Sequence, residues 1–491
     1  MHVKCVSFLP VWYPSAFLNL CAFCPLAVKD FYLKTILHGL AGKITARLFL
    51  HEVSYMALLL PLYRRFKTSL FPNWFSQLYG QDPARLQEEQ TRWLNLLSRF
   101  QQRFPGVEQA ALFSTPGRTE VGGNHTDHNQ GRVLAAAVDR DVIAVAAPAS
   151  DGKIILASEG YPLLEVDTRD LSVHPNERGT TPALVRGVCA RLAQLGYAVG
   201  GFRAVMTSSV PKGSGLSSSA AFEVAVATIL NHLYNGGRIP ALTCAQIGQY
   251  AENVYFGKPC GLMDQTAAAV GGFVSIDFAE PEHPAVHQVH YDFAHSGYEV
   301  IIVETGGDHA DLTADYASIR EDMQAVAAFF GKHVLREVSR EELLRHLAEL
   351  RRQVHDRAIL RALHFFDDNQ RVEEQVAALE ANRFDQFLRL VRESGRSSWM
   401  LLQNGFSHRK PEHQGIPLAQ AISEILLGER GAWRVHGGGF AGTIQAFVPK
   451  DQANEYIQRM EAVFGRGSCY PVSIRQAGSV RLDDGEGDSQ L

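Results

Sequence analysis

The sequence predicts an α+β protein folded as two lobes with a cleft between them. Three observations point there. Strand-like and helix-like segments are mixed through both halves of the chain. A proline-flanked break at residues 281–284 marks a change between the halves. Two glycine-rich runs, at 213–221 and 437–442, follow strand-like segments, where backbone can approach a ligand closely. The 491 residues suit two or three domains, and 46% apolar with 20% charged residues is enough for ordinary cores. The expected organisation is an N-terminal extension (1–70), an N-terminal lobe (71–283), a C-terminal lobe (284–480) and an acidic, disordered tail (481–491).

The elements follow in order. Residues 6–28 carry no charge, but Pro10, Pro14 and Pro25 interrupt them, Asn19 lies mid-run and no basic leader precedes them. The stretch therefore reads as a poorly ordered extension rather than a membrane segment, with Met56 an internal candidate start. Leu86, Trp93, Leu96, Leu97 and Phe100 mark a polar-faced helix over 83–104. A short strand at 110–114 runs into Pro116 and Gly117, and two short strands are expected within 133–147, either side of Asp139-Arg140-Asp141. A helix over 181–195 ends at Gly196, and 202–210 alternates as a strand. Phe222, Ala225, Val226, Ile229, Leu230 and Leu233 form one helical stripe, stopped by Asn235-Gly236-Gly237. A further helix covers 244–256, with a buried strand at 300–303 and helices from 315 to 427. Strands at 433–435 and 443–448 and a helix at 451–464 complete the chain.

Charge and cysteines exclude some classes. A net charge of −5 gives no general attraction to nucleic acid or to an acidic membrane, so any phosphate must be held by a local pocket. Seven scattered cysteines form no disulfide framework and favour a reducing compartment. Cys21 and Cys24 are a lone C-x-x-C without a second pair to complete a metal site.

The run Gly213, Ser214, Gly215, Leu216, Ser217, Ser218, Ser219, Ala220 links a strand to a helix. Glycines permit close approach, serines supply hydroxyls, and the helix start offers free N–H groups and partial positive charge. One serine could be a simple helix cap; a triple serine after Gly-x-Gly fits phosphate better. It is not a Walker A loop, because no Gly-Lys-Ser/Thr opens the helix. Residues 437–442 match G-x-G-x-x-G, with Glu461 at about ribose distance, but a strand follows where a dinucleotide site needs a helix.

A second polar, glycine-rich loop carries Arg118, Asn124, His125, Asp127 and His128. Its donors and acceptors suit hydroxyls; a metal site or a hydrogen-bonded turn are the alternatives. Together with the Ser-rich loop, the stretch from Gly257 through Lys258 to Asp264-Gln265 and the Val435-His436-Gly437-Gly438-Gly439-Phe440-Ala441-Gly442 motif, this loop resembles the GHMP kinases, specifically galactokinases. The four segments occur in family order over 116–448, and the first 70 or so residues lie outside the resemblance.

The resemblance implies an N-terminal α/β lobe and a ferredoxin-like C-terminal lobe with the active site between them. It also implies ATP-dependent phosphorylation of a monosaccharide, galactose foremost, at the C1 hydroxyl. Asp264 and Arg118 are the implied catalytic pair. Asn124, His125, Asp127, Gly261, Asp264 and Tyr316 match sugar-contacting positions. Gly213, Ser214, Gly215, Leu216, Ser217, Ser218, Ser219 and Ala220 match the ATP loop, and Ser219 and Glu252 the Mg²⁺ ligands. The chain departs from the signature in carrying Glu120 for an asparagine, Gly122 for a bulky apolar residue, Asn124 for a glutamate and His128 for a tyrosine. A kinase of an amino sugar or pentose, or a non-catalytic sugar and ATP sensor, are the alternatives. Small-molecule partners, no obligate protein partner and a cytoplasmic location are expected.

Overall fold

The computed structural model describes residues 73–482 apart from 108, 212 and 308–311. Expectations for 1–70, for Cys21 and Cys24, and for the tail from 483 onwards fall outside these residues. Two helices lead, α1 (Asn73–Tyr79) and α2 (Pro83–Arg103). Asp82 caps α2 by accepting from the Ala84 N–H, with Pro83 at the first helical position. Then follow β1 (Ala111–Gly122), β2 (Arg132–Ala149), β3 (Lys153–Ser158), β4 (Leu164–Asp167), α3 (Thr181–Gln194), β5 (Gly201–Ser208), α4 (Ser218–Tyr234), α5 (Ala241–Tyr250), α6 (Met263–Val270), β6 (Phe273–Asp277) and β7 (Ala285–Val289). The rest comprises β8 (Tyr298–Glu304), α7 (Thr313–Phe329), α8 (Asp356–Glu380), α9 (Phe384–Ser397), α10 (Gly415–Leu427), β9 (Ala432–His436), β10 (Thr443–Pro449), α11 (Ala453–Phe464), β11 (Cys469–Val472) and β12 (Val480–Arg481), with short helical turns between.

The strands make two sheets. One runs β12-β1-β2-β5-β3-β4, with β6 and β7 added at β2. The other is β11-β8-β10-β9, antiparallel throughout. One face of the first sheet packs on α3, α4 and α5 through Phe113, Met206, Val185, Ile229 and Ile247, all buried. The second sheet buries Val303, Val435 and Ile444 against Ile416 of α10 and Tyr456 and Met460 of α11. Phe273, Ile302, Val372, Phe387 and Phe447 form a core that ties both sheets to α8 and α9. The expected α+β architecture is therefore present.

Two expectations change. The expected pair of short strands is one 18-residue strand, β2. Asp139-Arg140-Asp141 has turn-like composition, but its polar groups are satisfied inside the protein. Asp139 exchanges bonds with the Ser473 main chain, and buried Asp141 meets Arg92, Arg475, Tyr79 and Ser114. Likewise β1 continues to Gly122, with a register shift between Pro116 and Arg118. Gly117 makes the bend possible, since a Cβ there would lie 2.7 Å from the Leu216 carbonyl oxygen. Arg118 is thus strand-borne. Among the described residues no helix is long and apolar enough to cross a membrane.

Candidate active site

The cleft forms where the β5–α4 turn faces the end of β1, the start of α6 and the β9–β10 turn. It encloses about 290 Å³, with Arg118, Asp264, Lys258, Tyr316 and His436 among its lining side chains. Asp264 is in the first turn of α6, whose N-cap is Leu262, so its carboxylate does not cap the helix. It meets Arg118 instead: Nε donates to Oδ1 at 2.8 Å, and Nη2 lies 2.8 Å from the same oxygen in an ion pair. The Ser217 hydroxyl donates to Oδ2. Arg118 is placed from both ends, its main-chain N–H donating to the Leu216 carbonyl (3.0 Å) and Nη1 to that of Gly215. Burial pushes the Asp264 carboxyl up, but the Arg118 charge and the bonds from Arg118 and Ser217 outweigh it and hold it below the ordinary aspartate range. The result is an ionised carboxylate, about one-third exposed to the cleft.

Ser217 takes left-handed backbone at the N-cap of α4 and makes no capping bond, which frees its hydroxyl for Asp264. The α4 start therefore presents uncapped N–H groups, with no acidic side chain in its first turn, as an anion site requires. Three of the six described non-glycine residues with positive φ are at this site: His125, Ser217 and Phe440. Strain of this kind gathers where structure serves a ligand. Ser218, Ser219, Gly213 and Gly215 line the cleft. Ser214 and Ala220 are buried beneath it, and the Ser214 hydroxyl donates to the Pro211 carbonyl. His436 is buried between Arg118 and Arg434; burial first, then these charges, lower its pKa to about 3, so its ring is neutral and hydrogen-bonds Thr443.

Family profiles match in two places, the GHMP kinases N terminal domain over residues 183–272 and the galactokinase galactose-binding signature over residues 98–148. A galactokinase of Glaesserella parasuis serovar 5 (strain SH0165) is 32% identical over 367 residues, 72% of this chain and 89% of that protein. The chain belongs to the galactokinase family. It is accordingly a sugar phosphotransferase. Among solved structures, galactokinase of Lactococcus lactis complexed with galactose superposes with a TM-score of 0.67 at 24% identity, covering 78% of this chain and 98% of that one. Mevalonate kinase of Methanococcus jannaschii gives 0.53 at 14% identity, over 75% and 99%. Both share the fold.

In this galactokinase-family chain the positions expected at the sugar end divide into two groups. Asp127 lies against Gly261, where a Cβ would come within 2.8 Å of Oδ2. Tyr316 stacks on His125 with ring centroids 6.3 Å apart. The Tyr316 hydroxyl donates to the Gly439 carbonyl (3.2 Å), and His125 Nε2 bonds that of Gly438 (2.9 Å). Asn124 differs, being 1% exposed with its carboxamide bonded to Glu120, Asn404 and the Gly437 carbonyl. Glu252 also lies behind the cleft wall. Its Oε1 accepts from Lys258 and its Oε2 from Gln265, each at 3.1 Å. Gln265 also donates to Glu223, which burial and then the Glu252 charge raise to about 9, so that Glu223 is neutral.

Sequence reasoning missed Lys258 and His436 as cleft residues and the buried acids Glu120 and Glu223. Both cleft residues lie within the family segments, and an unmatched cation beside the aspartate motif was the available signal for Lys258. The acids carried no such signal, since only the fold brings Glu120 to Arg434 and Glu223 to Gln265.

Proposed function

We propose that the protein transfers the γ-phosphoryl group of ATP to the C1 hydroxyl of galactose, giving galactose 1-phosphate and ADP. The observation that carries this reading is an ionised Asp264 clamped by Arg118 and Ser217 at the mouth of the α4 anion site. Phosphoryl transfer needs positioning and charge stabilisation more than covalent help. Asp264 orients the hydroxyl and takes its proton as the oxygen bonds phosphorus and the bond to ADP breaks. Arg118 keeps Asp264 ionised and stabilises charge on the phosphoryl oxygens. The Gly213–Ala220 segment cradles the phosphates, mainly through backbone N–H groups and the hydroxyls of Ser218 and Ser219. His125, Asp127, Gly261 and Tyr316 form the sugar end. The family supports ATP as co-substrate, and an ATP-consuming enzyme of this kind belongs in the cytoplasm.

Mg²⁺ fits the donors in kind. Ser219 and Glu252 offer hard oxygens, and Gln265 joins Glu252 to Glu223, whose Oε1 is a buried oxygen without a partner. Ser219 and Glu252 would hold the ion, together with ATP oxygens, and bound there it would neutralise phosphate charge. Among the described residues no cluster of three or more His, Cys, Asp or Glu forms a cage, so the protein alone supplies few ligands. Glu252→Gln is expected to weaken Mn²⁺ binding to the enzyme–ATP complex about tenfold or more, read by electron paramagnetic resonance; unchanged affinity removes Glu252 from the metal site.

The test of function is ATP consumption across neutral hexoses, pentoses and amino sugars, with the phosphorylated carbon identified by ³¹P and ¹³C NMR. Galactose phosphorylated at C1, with the highest kcat/KM, is expected. A pentose or amino sugar ahead of galactose gives the reaction to another sugar, and sugar binding without turnover makes the protein a sensor.

A further inference from the structure

We propose that Asn124 is a positioning residue that fixes the β9–β10 glycine turn over the sugar end of the cleft, rather than a direct sugar contact. This inference rests on the sugar-kinase reading above. The Asn124 backbone is pinned on both sides by α8: the Gly123 and Asn124 N–H groups donate to Asp368 Oδ2 at 3.1 and 2.9 Å, and His364 Nε2 bonds the Asn124 carbonyl at 2.9 Å. These bonds fix where the Asn124 main chain sits, and its side-chain bonds set where the carboxamide points.

Its carboxamide is fully used. Nδ2 donates to Glu120 Oε1 (2.7 Å) and to the Gly437 carbonyl (2.9 Å); Oδ1 accepts from Asn404 Nδ2 (2.7 Å) and, more weakly, from Ser398 (3.4 Å). Two donors and two acceptor sites are an amide's whole capacity, and none is left for a sugar. The same network holds the turn a second time, because Asn404 donates to the Gly438 carbonyl at 3.1 Å and its own carbonyl accepts from Phe440 N–H. The turn in turn engages His125 and Tyr316. It packs closely on Tyr316, since a Cβ on Gly438 would lie 2.5 Å from that ring.

The charge near this corner is held one layer deeper, on Glu120, which is 4% exposed and paired with fully buried Arg434 at 3.0 Å. Position 124 must therefore supply a donor to Gly437 and remain neutral beside Glu120. A carboxylate there would face two acceptors, Glu120 Oε1 and the Gly437 oxygen.

Two variants test this. Asn124→Asp keeps the shape and removes both donors; Glu120→Gln with Asn124→Asp restores one acid, one amide and one guanidinium with acid and amide exchanged. Asn124→Asp is expected to lower Tm by several degrees, and the double variant to recover most of that loss. In both, hydrogen exchange across residues 437–443 rises about tenfold and the sugar KM rises about tenfold, with the ATP KM within twofold of wild type. Return of turn exchange and sugar KM to wild type together with Tm in the double variant would show mere packing and overturn the proposal. So would unchanged turn exchange in Asn124→Asp. Exchange needs no substrate, so this result stands whether or not galactose is phosphorylated, and the wild-type sugar panel judges that reading separately.

Discussion

Replacing Asp264 by alanine is expected to lower kcat by about 10²–10⁴-fold, the range for loss of a positioned base, while Tm stays near wild type. On the proposed mechanism the side chain contributes two things: a proton acceptor in the cleft, and the counter-charge that sets the Arg118 guanidinium. Its removal leaves Arg118 still held by the Gly215 carbonyl, so the fold has a substitute partner and the reaction has none. In the wild type, a base held below the ordinary aspartate range is ionised above its pKa and protonated as pH falls through it. The acid limb of the kcat profile is therefore expected below that range, and Arg118→Gln should move it upwards. Near-normal turnover in Asp264→Ala, with product still at C1, would remove Asp264 from the chemistry.

Asp141→Ala is expected to cost about 3–5 kcal/mol of stability, the usual result of leaving a buried charge without its partner. Asp141 is fully buried, with Arg475, itself 1% exposed, at 3.2 Å, Arg92 on Oδ1 and the Tyr79 hydroxyl at 2.8 Å. These partners come from α1, α2 and the segment after β11, so one carboxylate joins three distant stretches to β2. Burial raises its pKa, and the charges of Arg92 and Arg475 more than reverse this, leaving it lowered. Its stabilisation is then fully present above the ordinary aspartate range and is lost as pH falls through the lower folded value. Urea titration should show a lower midpoint; a change within 0.5 kcal/mol, on the order of an ordinary surface substitution, would contradict the account.

Much of this was legible in sequence where local rules act alone. The stripe from Phe222 to Leu233 gives α4, and Asp82-Pro83 gives the start of α2, because periodicity and capping are short-range. The second glycine run was read correctly as a non-dinucleotide turn, since a β-branched strand follows it, and the first does lead from β5 into the start of α4. Asp139-Arg140-Asp141 misled because turn-like composition does not reveal partners 49 and 334 residues away. The bonding of Asn124 was hidden for a related reason. A motif position tells which backbone site a residue holds, not which way its amide is satisfied, and Glu120, Asn404 and Gly437 decide that in three dimensions.

The account turns on Asp264, Arg118 and the α4 turn meeting at one sugar hydroxyl. A crystal structure with galactose and a non-hydrolysable ATP analogue tests this most directly. The account predicts the C1 oxygen about 3 Å from the Asp264 carboxylate, facing a γ-phosphate seated on the Ser217-Ser218-Ser219 turn. A sugar bound with another hydroxyl towards Asp264, or a triphosphate seated away from that turn, would contradict it.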